Sequence, residues 1–171
     1  MIINISKAKI HKFEDDINTD YIISSRHKRD TTDCNILKKY IFADIRDSLI
    51  EKINDGDIIA AGQNFGCGSA MEVASQVVKA AGISVIIAKS FARSYYRNAM
   101  NNGILLIEAD TDFLNDGDII GLNSDENGNI ILSAENGEEK INLGKISSVM
   151  SKLYEAGGLI EYVNEYGGLP V

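Results

Sequence analysis

The feature that most constrains the fold is a run of alternating apolar strands and amphipathic helices within residues 57–107. The first strand candidate, residues 57–61, passes directly into the glycine-rich stretch at residues 62–68. A helix pattern with one apolar face follows and stops at Gly82, and two further apolar strands then flank a second helix. Strand–helix–strand–helix–strand requires parallel pairing with right-handed crossovers. We therefore predict an α/β fold with a parallel βαβαβ core.

The remainder of the chain does not continue the strand–helix alternation, but no domain boundary is evident in it. Asn127-Gly128 predicts a type I′ hairpin between strands at residues 119–122 and 130–134. Apolar residues at helical spacing predict a C-terminal helix at about 146–157, ended by Gly157-Gly158. No low-complexity linker interrupts the sequence. We expect residues 1–171 to form a single domain.

Composition excludes several classes of function. A net charge of -8 at pH 7 argues against nucleic-acid binding, which needs a basic face. No apolar run approaches the roughly 18 residues of a membrane span, and the N-terminus lacks a secretory pattern, so we expect a cytoplasmic protein with no membrane partner. The two histidines, His11 and His27, are too isolated in sequence to indicate a metal site.

The glycine-rich stretch continues as Gly66-Cys67-Gly68-Ser69, between a parallel strand and a helix. In open α/β sheets this edge is where ligands bind, because glycines admit a ligand and the helix N-terminus presents unpaired N–H groups. A nucleotide loop fits poorly. A Walker A loop has lysine before its serine, and a dinucleotide fingerprint has a small residue where this chain has Met71.

Two interpretations of Ser69 remain open from the residues alone. Ser69-Ala70-Met71-Glu72 matches the Ser-x-x-Glu capping box, so the serine could cap the helix. Alternatively, its hydroxyl could act as a base that removes a proton next to a substrate carboxylate.

Several motifs spread over nearly the whole chain share one resemblance. They are Asp16-Ile17-Asn18-Thr19-Asp20, Gly62-x-Asn64-Phe65-Gly66-x-Gly68-Ser69, Ser90-Phe91-Ala92-Arg93, Arg97-Asn98, Asn101-Asn102-Gly103 and Gly157-Gly158-Leu159-Ile160-Glu161-Tyr162. Together they resemble the small-subunit signature of the aconitase superfamily, in particular the 3-isopropylmalate dehydratase type.

The resemblance implies a swivelling three-layer β/β/α domain that closes over a large subunit. In that family the large subunit carries a [4Fe–4S] cluster whose open iron holds the substrate, and a small-subunit serine removes the α proton. Carried onto this chain, the catalytic base is Ser69, and Asn64 and Gly68 help to form the substrate pocket. The implied reaction isomerises 2- and 3-isopropylmalate by dehydration and rehydration, in leucine biosynthesis.

The cysteine content bears separately on the cofactor. A [4Fe–4S] cluster usually takes at least three cysteine ligands, and this chain has two, Cys34 and Cys67. We therefore expect no cofactor in this chain and a cluster on the partner subunit. Cys67 itself is interpreted as a tolerated loop residue, the alternative being a reactive thiol with a lowered pKa.

One position departs from the family pattern. The family usually reads Gly-Ser-Ser-Arg-Glu-His, with the arginine contacting a substrate carboxylate, whereas this chain has Met71 at the arginine position. Met71 could contact an apolar substituent or face the core. The substrate could then be another hydroxy acid, namely 2,3-dimethylmalate, citramalate (methylmalate) or homoaconitate, or the chain could be a non-catalytic module of the same fold.

The basic segment Arg26-His27-Lys28-Arg29 lies in the region that tunes substrate choice in the family. If it serves the site, Arg26 or Arg29 would hold a substrate carboxylate, and otherwise it is a solvated loop. Arg93 and Arg97 lie four residues apart on one helix and could face either the pocket or the partner chain.

Overall fold

The computed structural model describes residues 3–135 and 139–170. Its centre is one seven-stranded sheet. The strands are β1 (Asn4–Lys12), β2 (Ile58–Ala61), β3 (Val85–Ala88), β4 (Leu105–Glu108), β5 (Ile119–Ser124), β6 (Asn129–Ala134) and β7 (Lys140–Lys145). Their order in the sheet is β4-β3-β2-β1-β5-β6-β7, so β1 lies in the middle and separates a parallel half from an antiparallel half.

In the parallel half, β1 to β4 pair in parallel and are joined by two helices of nine residues each. Helix α3 (Glu72–Ala80) connects β2 to β3, and helix α4 (Arg93–Asn101) connects β3 to β4. Every residue of β2 and β3 is buried, which explains why these strands read as continuous apolar runs. The α/β class and the parallel βαβαβ core predicted from the sequence are confirmed.

The antiparallel half grows from the other edge of β1. Strand β1 changes register between Ile5 and Ala8, where it pairs with β5. The β5–β6 hairpin is present, but its turn differs from the prediction. Gly128 has a φ of 78°, whereas Asn127 does not have the positive φ that a type I′ turn requires. Instead, the Asp125 carboxylate accepts bonds from the Asn127 and Asn129 N–H groups.

Short helical segments cover the region before β2. They are helix α1 (Thr19–Ile22), helix α2 (Cys34–Leu37) and the 3₁₀ turns Ser25–Lys28, Lys38–Tyr40 and Leu49–Lys52. Helix α2 packs beside α3, and Ile22, Leu37 and Phe42 are fully buried, so this region belongs to the main hydrophobic core.

Two helices, rather than one, follow the last strand. Helix α5 (Ser148–Ala156) occupies the region where the sequence indicated a helix, and α6 (Leu159–Tyr166) follows after Gly157 and Gly158. Gly157, with φ 87°, is the C-cap that ends α5 as predicted, and Gly158 is the N-cap from which α6 begins. In the part of the chain that the structure describes, no helix has the length and apolar character needed to cross a membrane.

Candidate active site

The candidate site is built on residues 62–69, which we call the glycine loop and which leaves the carboxyl end of β2. One side of this loop is bonded to the N-terminal segment at residues 14–19. The Asp16 N–H donates to the Gln63 carbonyl at 2.8 Å, the Gly66 N–H donates to the Ile17 carbonyl at 2.8 Å, and the Thr19 N–H donates to the Cys67 carbonyl at 2.8 Å. Two of the motifs behind the family resemblance are therefore adjacent in space.

The other side of the glycine loop is bonded to the segment that follows β3. The Phe65 N–H donates to the Ser90 carbonyl at 3.0 Å, and the Ala92 N–H donates to the Phe65 carbonyl at 2.9 Å. The Ser90 hydroxyl accepts the Asn64 N–H at 2.8 Å. The loop thus behaves as an irregular strand held from both sides, which gives it a defined position without regular secondary structure.

Close packing explains two of the glycines. A Cβ atom on Gly66 would lie 2.2 Å from the Tyr95 Cγ, and one on Gly68 would lie 2.5 Å from the Asn18 Oδ1. Both residues also have positive φ, 80° and 91° respectively. The Tyr95 ring is fully buried beneath the loop, and burial raises the pKa of its phenol far above the usual value. Tyr95 therefore supports the loop and stays neutral.

Ser69 lies at the exposed end of the glycine loop. Its carbonyl accepts two bonds, from the Met71 N–H at 2.8 Å and from the Thr19 hydroxyl at 3.0 Å. Among the described residues its hydroxyl forms no hydrogen bond. The backbone of this serine is therefore fixed from two directions while its side chain remains available to another molecule.

The capping-box interpretation of Ser69 is wrong. Helix α3 begins at Glu72, its N-cap is Met71, and no side chain caps it. The reason is the extended backbone of Met71, which delays the start of the helix to Glu72 and leaves Ser69 two residues before the N-cap position. Ser69 consequently lies just before an uncapped helix N-terminus, rather than inside its cap.

Asn64 and Gly68 lie on the exposed rim of the same loop. Asn64 adopts a left-handed backbone with φ 59°, and its side-chain amide donates to the Asp16 carboxylate at 2.7 Å. Its amide nitrogen is thus occupied by the protein, which leaves its carbonyl oxygen for a ligand. Gly68 presents open backbone next to Ser69.

Met71 is half-buried and packs against the hydrophobic core, but it does not belong to the helical face that its spacing indicated. Its backbone is extended, with φ -105° and ψ 113°. The sulfur atom of Met71 lies 2.6 Å from the ammonium nitrogen of Lys28. Lys28 was not among the residues that sequence reasoning selected, because 43 positions separate it from Met71.

The two arginines of the basic segment are both exposed. The Arg26 guanidinium is paired with the Asp44 carboxylate and also donates to the His27 ring. The His27 ring in turn stacks on Tyr40, with centroids 4.0 Å apart and an interplanar angle of 5°. Arg26 is thus directed toward Asp44.

The cysteines show no sign of a reactive thiol. Burial, followed by the nearby Asp16 carboxylate, raises the pKa of the Cys67 thiol, opposite to the lowered pKa considered above. Burial likewise raises the pKa of the Cys34 thiol, which contacts the Gln76 side chain.

The residues of this chain do not fit an iron–sulfur cluster. In the described parts of the chain, no group of three or more His, Cys, Asp or Glu side chains is arranged to hold a metal ion. The two cysteines lie on different segments, one opening α2 and the other in the glycine loop. A cluster needs more thiolates than this chain can supply.

The other motifs behind the family resemblance, on α4 and at the C-terminal glycines, contact each other away from the glycine loop. A Cβ atom on Gly103 would lie 2.4 Å from the backbone of Gly157, so the end of α4 and the C-terminal glycines approach closely for packing reasons. The Asn102 side chain bonds the Ser75 hydroxyl and the Asn98 carbonyl. Arg93 and Arg97 are exposed beside Phe91, Tyr96 and Glu108, and their role stays a prediction.

Comparison with known proteins agrees with this arrangement. The aconitase C-terminal domain model matches residues 51–112, which include the glycine loop and the βαβαβ core. The methanogen homoaconitase small subunit of Methanocaldococcus jannaschii is 41% identical over 161 residues, covering 94% of this chain and 92% of that protein. The 3-isopropylmalate dehydratase small subunit of Caldicellulosiruptor bescii is also 41% identical, covering 93% and 95%.

A solved structure gives the same result for the fold. The crystal structure of a 3-isopropylmalate dehydratase from Methanocaldococcus jannaschii superposes with a TM-score of 0.85 at 40% identity, covering 98% of this chain and 96% of that chain. The predicted swivelling α/β fold is therefore confirmed. This chain belongs to the aconitase C-terminal-domain family, among the small subunits of 3-isopropylmalate dehydratase-type hydro-lyases that act with a large subunit.

Proposed function

We propose that this chain is the small subunit of a cytoplasmic two-chain enzyme that interconverts 2- and 3-isopropylmalate, with Ser69 as the proton acceptor. One observation carries the proposal. The Ser69 hydroxyl is exposed and unbonded within the described residues, although the backbone of the same residue is held by Thr19 and Met71. A protein group that is fixed in position but unsatisfied is what a positioned base requires.

The proposed step is proton removal from the carbon next to a substrate carboxylate. The deprotonated Ser69 oxygen takes that proton, and the carbon–hydrogen electron pair forms the new double bond. The hydroxyl on the neighbouring carbon leaves with the carbon–oxygen electron pair as hydroxide, which takes a proton from solvent to become water. Rehydration reverses the sequence at the adjacent carbon. The uncapped N-terminus of α3 supports this role, because a helix N-terminus favours negative charge on a nearby oxygen.

The surrounding residues are proposed to form the substrate pocket. The Asn64 carbonyl oxygen and the Gly68 backbone border the serine, and the half-buried Met71 offers an apolar contact for an alkyl substituent. Carboxylate binding by Arg26 or Arg29 remains a prediction, and Arg26 would first have to leave Asp44. We place the [4Fe–4S] cluster on the large subunit, because this chain's residues do not fit one.

Homoaconitate is the second candidate substrate. It is favoured by the likeness to the methanogen homoaconitase small subunit, whose identity to this chain equals that of the 3-isopropylmalate dehydratase relative. The related acids 2,3-dimethylmalate and citramalate remain alternatives because of Met71. All four substrates would use the same proton transfer at Ser69.

The test is reconstitution of the chain with its large subunit under anaerobic conditions. Initial rates are compared for isopropylmalate, homoaconitate, 2,3-dimethylmalate and citramalate at matched concentrations. The proposal expects isopropylmalate to give the highest kcat/KM. A higher value for another acid would reassign the substrate, and an inactive complex with all four would favour the non-catalytic module.

A further inference from the structure

We propose that Lys28 is the cation that binds one of the substrate's two carboxylates, a role that the uncharged Met71 cannot fill. This inference rests on the proposed function and makes it more specific. Lys28 ends the 3₁₀ turn Ser25–Lys28, and its ammonium reaches the side chain of Met71, two residues beyond Ser69.

The positive charge of Lys28 is not paired with a carboxylate of the described residues. Its ammonium can donate three hydrogen bonds, yet its neighbour in the structure is the Met71 sulfur, and a thioether is a weak acceptor. Lys28 forms no ion pair with the described residues. A half-buried ammonium without a carboxylate partner is ready to accept an anion, because the protein does not neutralise it.

The neighbouring residues fix the direction of Lys28. Arg26 is held by Asp44, and His27 is held by its stack on Tyr40, so two consecutive side chains anchor the turn away from the glycine loop. Helix α1, just before this turn, is bonded to the loop through Thr19. Lys28 is the residue of the basic segment whose ammonium contacts Met71, two positions beyond Ser69.

Met71 completes the arrangement as a support. The methylene groups of a lysine pack favourably along an apolar side chain while the charged end stays available. The pair thus matches an acid that carries both an anionic group and an apolar substituent.

The test uses the complex with the large subunit and compares the KM and kcat of four variants. Lys28→Met should raise KM about 10- to 100-fold, the loss expected for one charge-assisted hydrogen bond, with kcat within about threefold of wild type. Lys28→Arg should recover most of the loss. Lys39→Met, which removes an exposed positive charge from a nearby segment, should change neither constant.

A double variant makes the test specific. The double variant Lys28→Met with Met71→Arg restores a positive charge to this pair of adjacent side chains, now carried by position 71. Its KM should be at least about tenfold lower than that of Lys28→Met alone. A KM unchanged in Lys28→Met, an equal loss in Lys39→Met, or no recovery in either rescue variant would overturn the proposal. Melting temperatures measured on each complex separate misfolding from lost binding.

Binding of a non-reacting acid separates this inference from the proposed function. Isopropylsuccinate and its two monoamides are titrated calorimetrically into the complex. Lys28→Met should weaken the diacid about 10- to 100-fold and leave unchanged the binding of the monoamide that lacks the recognised charge. Equal weakening of both monoamides would contradict a specific carboxylate contact. A wild-type complex that binds the diacid through Lys28 but turns over none of the four malate-type acids would sink the proposed function alone.

Discussion

The two ends of β2 are built in opposite ways. The chain enters β2 through the turn at residues 54–57, where the buried Asp57 carboxylate accepts the Asn54 N–H at 2.9 Å and the Lys9 N–H at 3.3 Å and bonds the His11 ring at 2.8 Å. The chain leaves β2 through the glycine loop, whose position is fixed by backbone hydrogen bonds. The Ser69 hydroxyl in this loop remains unbonded within the described residues. The polar side chain at the first end is hydrogen-bonded within the protein, whereas the serine hydroxyl at the second end is not.

The difference separates structural from functional residues. Buried polar groups that bond one another contribute to stability, and removing one partner leaves the others unsatisfied. Exposed polar groups held on a rigid backbone contribute little to stability, so their position is better explained by a ligand. We therefore expect changes at the entry turn to affect unfolding and changes at the glycine loop to affect catalysis.

The largest effect is expected for Ser69→Ala. Removing a positioned base should lower the kcat of the two-chain complex by about 10²–10⁴-fold, with the melting temperature unchanged because the hydroxyl forms no bond within the described residues. Steady-state kinetics on the reconstituted complex measure this. Ser148→Ala, at an exposed serine on α5, serves as the matched control and should retain full activity.

The next largest effect is expected for Gly66→Ala. The new Cβ would lie 2.2 Å from the Tyr95 ring, on a backbone with φ 80°, so overpacking and the left-handed conformation both oppose it. We expect a loss of about 2–4 kcal/mol in the free energy of unfolding, measured by urea denaturation of the isolated chain. A stability equal to wild type would show that the loop is free to move away from Tyr95.

Asp57→Asn should have an intermediate effect, confined to stability. An amide cannot accept from all three partners of the carboxylate, so a buried donor loses its acceptor at a cost of about 1–3 kcal/mol. The kcat of the complex should stay within about twofold of wild type. A large loss of activity with normal stability would place the entry turn in the functional machinery and break the comparison.

The smallest effect is expected for Gly117→Ala. Residues 115–120 repeat the hexapeptide at residues 54–59, and Gly117 has the same φ of 88° as Gly56, with nothing within 4 Å of a Cβ atom at either position. Only the left-handed conformation opposes alanine here, at about 1 kcal/mol. Urea denaturation beside Gly66→Ala then isolates the contribution of the Tyr95 contact.

Much of the fold could be predicted from local sequence patterns. The apolar runs at β2 and β3 and the helical period before Gly82 predict parallel strands with intervening helices, because both patterns reflect burial of short contiguous segments. The end of α5 at Gly157-Gly158 was predicted correctly, but the second C-terminal helix was missed because Gly158 is also the N-cap of α6. A glycine pair marks the end of one helix and does not show whether another helix follows it.

The site was predictable only in part. The position of the glycine loop follows from the strand–helix order, but the capping of α3 depends on the residue at which the helix begins, which the Ser-x-x-Glu pattern placed two residues too early. The choice among the cations of the basic segment depends on contacts across the fold, namely Arg26 with Asp44 and Lys28 with Met71. Such pairings are long-range, and neither residue's immediate neighbours indicate them.

The most direct test of the central claim follows the carbon–hydrogen bond itself. Isopropylmalate deuterated at the carbon that loses its proton is incubated with the wild-type complex or the Ser69→Ala complex, and the loss of deuterium from carbon is followed by NMR. If Ser69 takes the proton, bond cleavage in the variant falls by the same factor of about 10²–10⁴ as turnover. Deuterium loss at the wild-type rate in the variant would contradict the assignment.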